Sequence, residues 1–99
     1  MFEAESIYHI YNRANGHENL FIEEQNYAFF LDKYFKHISP IAATYSYCLM
    51  PNHFHLMIKI KSVEEIKDNI GLKTFDKYET FGKLISKQFS NLFSSYTHL

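Results

Sequence analysis

From Ile41 to Lys61 the chain places two apolar runs around the dipeptide Pro51-Asn52. In an extended strand, residues two apart point to the same side. The second run therefore sets Phe54, Leu56, Ile58 and Ile60 on one face and His53 and His55 on the other. The pattern predicts a strand over Ile41–Met50, a turn at Pro51-Asn52 and an antiparallel return over His53–Lys61. The aliphatic face is the core face, so the two imidazoles share the opposite surface.

The same reading extends to both sides of this hairpin. Ile7 to Tyr11 is aromatic and β-branched and predicts a strand, with Tyr8 and Ile10 on one face and Ile7, His9 and Tyr11 on the other. Asn12-Arg13-Ala14-Asn15-Gly16 has turn chemistry. Leu20, Phe21 and Ile22 make a brief apolar contact. Between Glu23 and His37, Tyr27, Phe30, Leu31, Tyr34, Phe35 and Ile38 recur at intervals of three and four, one wide apolar helical stripe. Ser39-Pro40 stops it. Val63 to Ile70 predicts a short helix, with Ser62 and Glu65 as a capping box and Gly71 as its end. Thr74 to Gly82 is expected to be a loop or a frayed continuation. Lys83 to Leu99 is again helical, with Leu84, Ile85, Gln88, Phe89, Leu92, Phe93 and Tyr96 on one face. The chain is expected to stop within this helix.

Ninety-nine residues make one small domain. A hydrophobic fraction of 46% and a charged fraction of 21% belong to a folded chain, not a disordered one. The net charge of -1 argues against a general electrostatic attraction to nucleic acid, so any such binding needs a local basic face or metal-held phosphates. The single cysteine, Cys48, is expected to be a small hydrophobe within its strand, and one cysteine suits a cytoplasmic chain. No apolar stretch reaches membrane-spanning length, so no membrane partner is expected.

Alternating histidines on one strand face are candidate ligands for a metal ion, or else hydrogen-bonded surface residues. His9 is the candidate third ligand, because a neighbouring strand can bring its ring to the same face. Acidic residues between Glu64 and Glu79 are alternatives. Arg13 is a candidate phosphate clamp or a surface ion-pair partner. Lys59, Lys61, Lys83 and Lys87 are candidates for a shallow basic side. Tyr11, Tyr45 and Tyr47 are the aromatic residues best suited to stacking on bases. Tyr96, on the apolar face of its helix, is expected to pack in the core.

Tyr8-His9-Ile10-Tyr11-Asn12-Arg13, Phe21 and above all Tyr47-Cys48-Leu49-Met50-Pro51-Asn52-His53-Phe54-His55-Leu56-Met57-Ile58 resemble the single-tyrosine transposases with the His-hydrophobic-His (HUH) motif. The likeness is strongest to the type associated with repeated extragenic palindromes. Ile85 to Thr97 resembles the helix that follows the metal hairpin in those proteins. The resemblance implies an α+β, ferredoxin-like fold with an antiparallel sheet and helices on one face. It implies a homodimer that cuts and rejoins single-stranded DNA beside hairpin structures. His53 and His55 would be catalytic, holding a divalent ion, Mg2+ or Mn2+, while a tyrosine attacks to leave a 5' phosphotyrosine link. Arg13, Asn52 and Lys59 would contact DNA, Asn52 also shaping the turn. The family's nucleophile and fourth strand lie beyond the helix that ends at Leu99, so residues 1–99 are expected to be one domain incomplete at its C-terminus. The rival expectation is a non-catalytic dimer that binds hairpin nucleic acid, or a regulatory remnant.

Overall fold

Phe54, Leu56, Ile58 and Ile60, alternate residues of one strand, are all buried, and the rest of the molecule is arranged to cover them. In the computed structural model, which describes residues 2–13 and 20–97, the elements run β1 (Ile7–Arg13), α1 (Glu24–Ile38), β2 (Ala42–Met50), β3 (His53–Ile60), α2 (Val63–Ile70), α3 (Leu72–Phe75) and α4 (Phe81–Thr97). The strands form a three-stranded sheet in the order β1-β3-β2. Both outer strands are antiparallel to β3 and so parallel to each other, which requires α1 to cross over between them.

The helices lie on the core face alone. Phe30 of α1 and Phe93 of α4 both meet Phe54 of β3, with ring centroids 5.2 and 5.9 Å away. Tyr34 and Ile38 of α1 and Leu84, Ile85 and Leu92 of α4 complete the same core. Burying each such side chain contributes about 1.5–3 kcal/mol, so the β3 face holds the domain together. This is a small α+β fold with helices on one side of the sheet. Among the described residues nothing is packed on the other side.

Local signals explain the element ends. Asn26 Oδ1 accepts the Ile22 and Glu23 backbone N–H groups at 2.9 and 2.8 Å, which closes the start of α1. At α2 the Ser62 hydroxyl accepts from the Glu65 N–H at 3.2 Å, the serine half of the expected capping box. Gly71, at φ 87° and ψ 144°, ends α2 in a conformation that strains any residue with a side chain.

Two expectations need correction, and β2 adds a feature that the alternation did not reveal. Asn12 and Arg13 continue β1, paired with Phe54 and His53, instead of opening a turn; the Ala14–Gly16 part of that turn lies outside the described residues. Within Thr74–Gly82 the chain is partly helical, because α3 reaches Phe75 and α4 begins at Phe81, where the Thr80 hydroxyl accepts the Lys83 N–H at 3.1 Å. Finally, β2 carries one extra residue, because its register shifts between Thr44 and Ser46. Tyr45 occupies this bulge and is exposed.

Candidate functional site

Cross-strand register builds the open face. Residues directly opposite one another in an antiparallel pair share a face. On β3 that face carries His53, His55, Met57 and Lys59. On β1, Arg13 stands opposite His53, Tyr11 opposite His55 and His9 opposite Met57. On β2, Met50 stands opposite His53, Cys48 opposite His55 and Ser46 opposite Met57. His9 thus sits one diagonal step from His55, within reach of a ring.

The rings do meet. His9 Nε2 is 2.9 Å from His55 Nδ1, with the ring planes 20° apart and their centroids 5.1 Å apart, an edge-to-edge contact. Tyr11, 68% exposed, leans on the same group, 5.4 Å from His9 and 5.9 Å from His55. The His53 ring stands edge-on to His55 at 5.2 Å, and its Nδ1 is 2.7 Å from Asn52 Oδ1. An amide oxygen only accepts, so His53 Nδ1 donates and its Nε2 carries the free lone pair. The pKa of His55 is lowered, chiefly by desolvation of its ring and then by His9, His53 and Arg13. A lowered value keeps His55 neutral at pH 7, the form that can bind a metal.

Two neutral imidazoles suit a divalent transition ion in donor chemistry. Among the described residues, however, no group of three or more His, Cys, Asp or Glu side chains is placed to hold one. His9 contacts His55 directly without forming such a set, and the acidic residues of Glu64–Glu79 do not supply the missing member; Glu79 is instead ion-paired to Lys83.

The remaining candidates separate. Asn52 is at the turn, its side-chain oxygen engaged by His53. Lys59 shares the open face but lies four residues from His55, about 13 Å along the strand. Lys61 Nζ donates to the Ser39 carbonyl at 2.7 Å. Lys83 and Lys87 are on α4, in the layer behind the sheet, so the four lysines do not form one basic side. Tyr47 pairs with Leu56 on the core side of the sheet, near its edge, and is half exposed.

Cys48 is exposed, not core. The signal for this was present in the hairpin itself: with Met50 opposite His53 across a two-residue turn, counting back two residues sets Cys48 opposite His55. The apolar look of Tyr47-Cys48-Leu49-Met50 hid it. Tyr96 behaves as expected of a core residue. Its hydroxyl donates to the Leu20 carbonyl at 2.6 Å, its ring packs against Phe21 and Phe30, and burial, with the neighbouring Tyr27, pushes its pKa up to about 12.

Fold and face together define a small α+β domain with an open sheet surface bearing histidine, tyrosine and arginine. Comparison with known proteins finds no matching family model, no matching curated protein and no matching solved structure. Among the described residues no helix is long and apolar enough to cross a membrane.

Proposed function

We propose that this chain is a single-stranded-DNA-binding domain of the HUH transposase type, with a ferredoxin-like arrangement of its sheet and helices. The observation that carries the reading is the gathering of His53, His55, Tyr11 and Arg13 on one open sheet face, with Arg13 directly opposite His53. The strand order β1-β3-β2 with a crossing helix also supports it.

On this reading each side chain has a separate task. His53 and His55 would hold a divalent ion, Mg2+ or Mn2+. When bound, that ion would supply Lewis-acid polarisation of a DNA phosphate. Arg13 grips a neighbouring phosphate oxygen through its guanidinium fork, and Tyr11 offers a ring on which an unpaired base can stack. Asn52 fixes the His53 ring through its Oδ1. Strand cleavage and rejoining through a tyrosine belong to the same reading, as do a homodimeric working unit and a cytoplasmic location.

One observation favours a second reading, a binding module without turnover. The tyrosine of α4, partly buried against the core, has its hydroxyl donated to the Leu20 carbonyl and its pKa raised by burial, which supports a packing role for Tyr96 over a nucleophilic one.

Calorimetry with manganese, followed by a hairpin-bearing single strand, tests both readings. Binding of manganese that requires His53 and strengthens the DNA complex is expected. DNA binding that ignores both manganese and His53→Ala would leave only the binding module, and no binding of either ligand would overturn both.

A further inference from the structure

The open face poses a question about His9. It was a candidate third ligand, yet its Nε2 lies 2.9 Å from His55 Nδ1 and the histidines do not form a three-ligand set. Two ring nitrogens at that distance share one proton. Which ring carries it decides what His55 can do with its other nitrogen.

The geometry points to His9 as a positioning residue for His55: it accepts the His55 Nδ1–H at Nε2 and so leaves the His55 Nε2 lone pair free. His53 provides the parallel. Its Nδ1 faces Asn52 Oδ1, an acceptor only, and this contact fixes His53 with Nε2 unprotonated. With His9 in the acceptor role, both histidines of β3 are held as the same tautomer by partners of different origin. One partner comes from the turn and one from β1.

This matches what metal-binding histidines need, a second contact that donates from the far ring nitrogen and sets ring orientation. The opposite assignment, with His9 donating, would put the His55 proton on Nε2 and close that atom to any ion. The planes of His9 and His55 lie within 20° of each other, the near-coplanar alignment an N–H···N contact needs, and the lean of Tyr11 on both rings limits rotation of this pair. The inference rests on the proposed role of His53 and His55 in holding an ion, but its central claim concerns the metal-free chain.

Nitrogen-proton correlation spectra of the histidine rings test it without metal or DNA. The expected result is the Nδ1–H form at both His53 and His55, with loss of that form at His55 alone in His9→Ala and its return in His9→Gln, whose amide oxygen can accept. Manganese affinity by calorimetry is expected to fall about ten- to hundred-fold in His9→Ala and to recover in His9→Gln. An Nε2–H form of His55 in the unsubstituted protein would overturn the inference. So would a His55 spectrum and manganese affinity indifferent to His9→Ala, or zinc-induced shifts showing His9 as a direct ligand. Failure of the unsubstituted chain to bind manganese would sink the metal reading, while the nitrogen spectra would still decide the role of His9.

Discussion

Tyr96 and His55 show how strongly a residue's surroundings choose its chemistry. Both side chains can in principle move protons. Tyr96 is packed among aromatic rings with its hydroxyl committed to the Leu20 carbonyl, which favours its neutral form. His55 stands on the open face, where its lowered pKa favours the neutral ring, the form able to coordinate a metal. Tyr96→Phe is therefore expected to destabilise the chain by about 1 kcal/mol, through loss of one hydrogen bond and an unsatisfied carbonyl, and to leave manganese and DNA affinity unchanged. Urea unfolding beside the two titrations checks this; lost DNA affinity at unchanged stability would contradict it. Cys48 makes the same point for sequence reading. Its type and neighbours suggested burial, and only its place opposite His55 shows why it is exposed.

Between elements, the α1–α4 contact carries a built-in pH dependence. His37, in the last turn of α1, lies 3.4 Å from the Ser95 hydroxyl of α4. Its pKa is lowered, first by burial and then by Lys36 and Lys33. The unfolded chain therefore takes up this proton at a higher pH than the folded chain does. Stability is full above the ordinary histidine pKa of about 6.5 and declines as pH falls through that value towards the lower folded one. His55 adds a decline of the same sign. The urea midpoint is expected to drop between neutral pH and about pH 5, and His37→Gln is expected to flatten part of that drop. An unchanged slope in the variant would place the effect elsewhere. At this scale the long elements were the most legible in the sequence, because the stripe on α1 and the alternation on β3 repeat often enough to fix a period. Asn12 and Arg13 were misread for a physical reason. Their turn propensity is weak beside the pairing offered by Phe54 and His53, which no local pattern reveals. The four residues of α3 are too few to show a helical period at all.

At the largest scale, the described residues put a packed helical layer on one side of the sheet and leave the other side bare. A net charge of -1 gives little long-range pull on a phosphate backbone, so the proposed DNA binding would have to come from a few near contacts. DNA affinity is accordingly expected to depend weakly on salt. Arg13→Ala should weaken single-strand binding and reduce the slope of log affinity against log salt by about 0.7, the contribution of one phosphate contact. A slope unchanged by that substitution would remove Arg13 from the interface. The candidate site was legible as a histidine pair on one strand. Its surroundings were legible in part: Tyr11 shares the parity of His9, whereas Arg13, assigned to a turn, and Cys48, assigned to the core, reach the pair through a cross-strand register that no local pattern reveals.

The extra residue in β2 has a bearing on how faithfully that face is built. Counted from the Pro51-Asn52 turn, Met50, Cys48 and Ser46 keep one register with β3; beyond Tyr45, Thr44, Ala43 and Ala42 keep another. The first register is referenced to the turn, the second to Ile41 and Ala42, which are buried in the core. The bulge is where these two independent rulers meet, and Tyr45 absorbs the mismatch between them. Small adjustments in how α1 seats on the sheet can therefore be taken up at Tyr45, much as an expansion joint isolates one span from the next, leaving the alignment of Cys48 with His55 undisturbed.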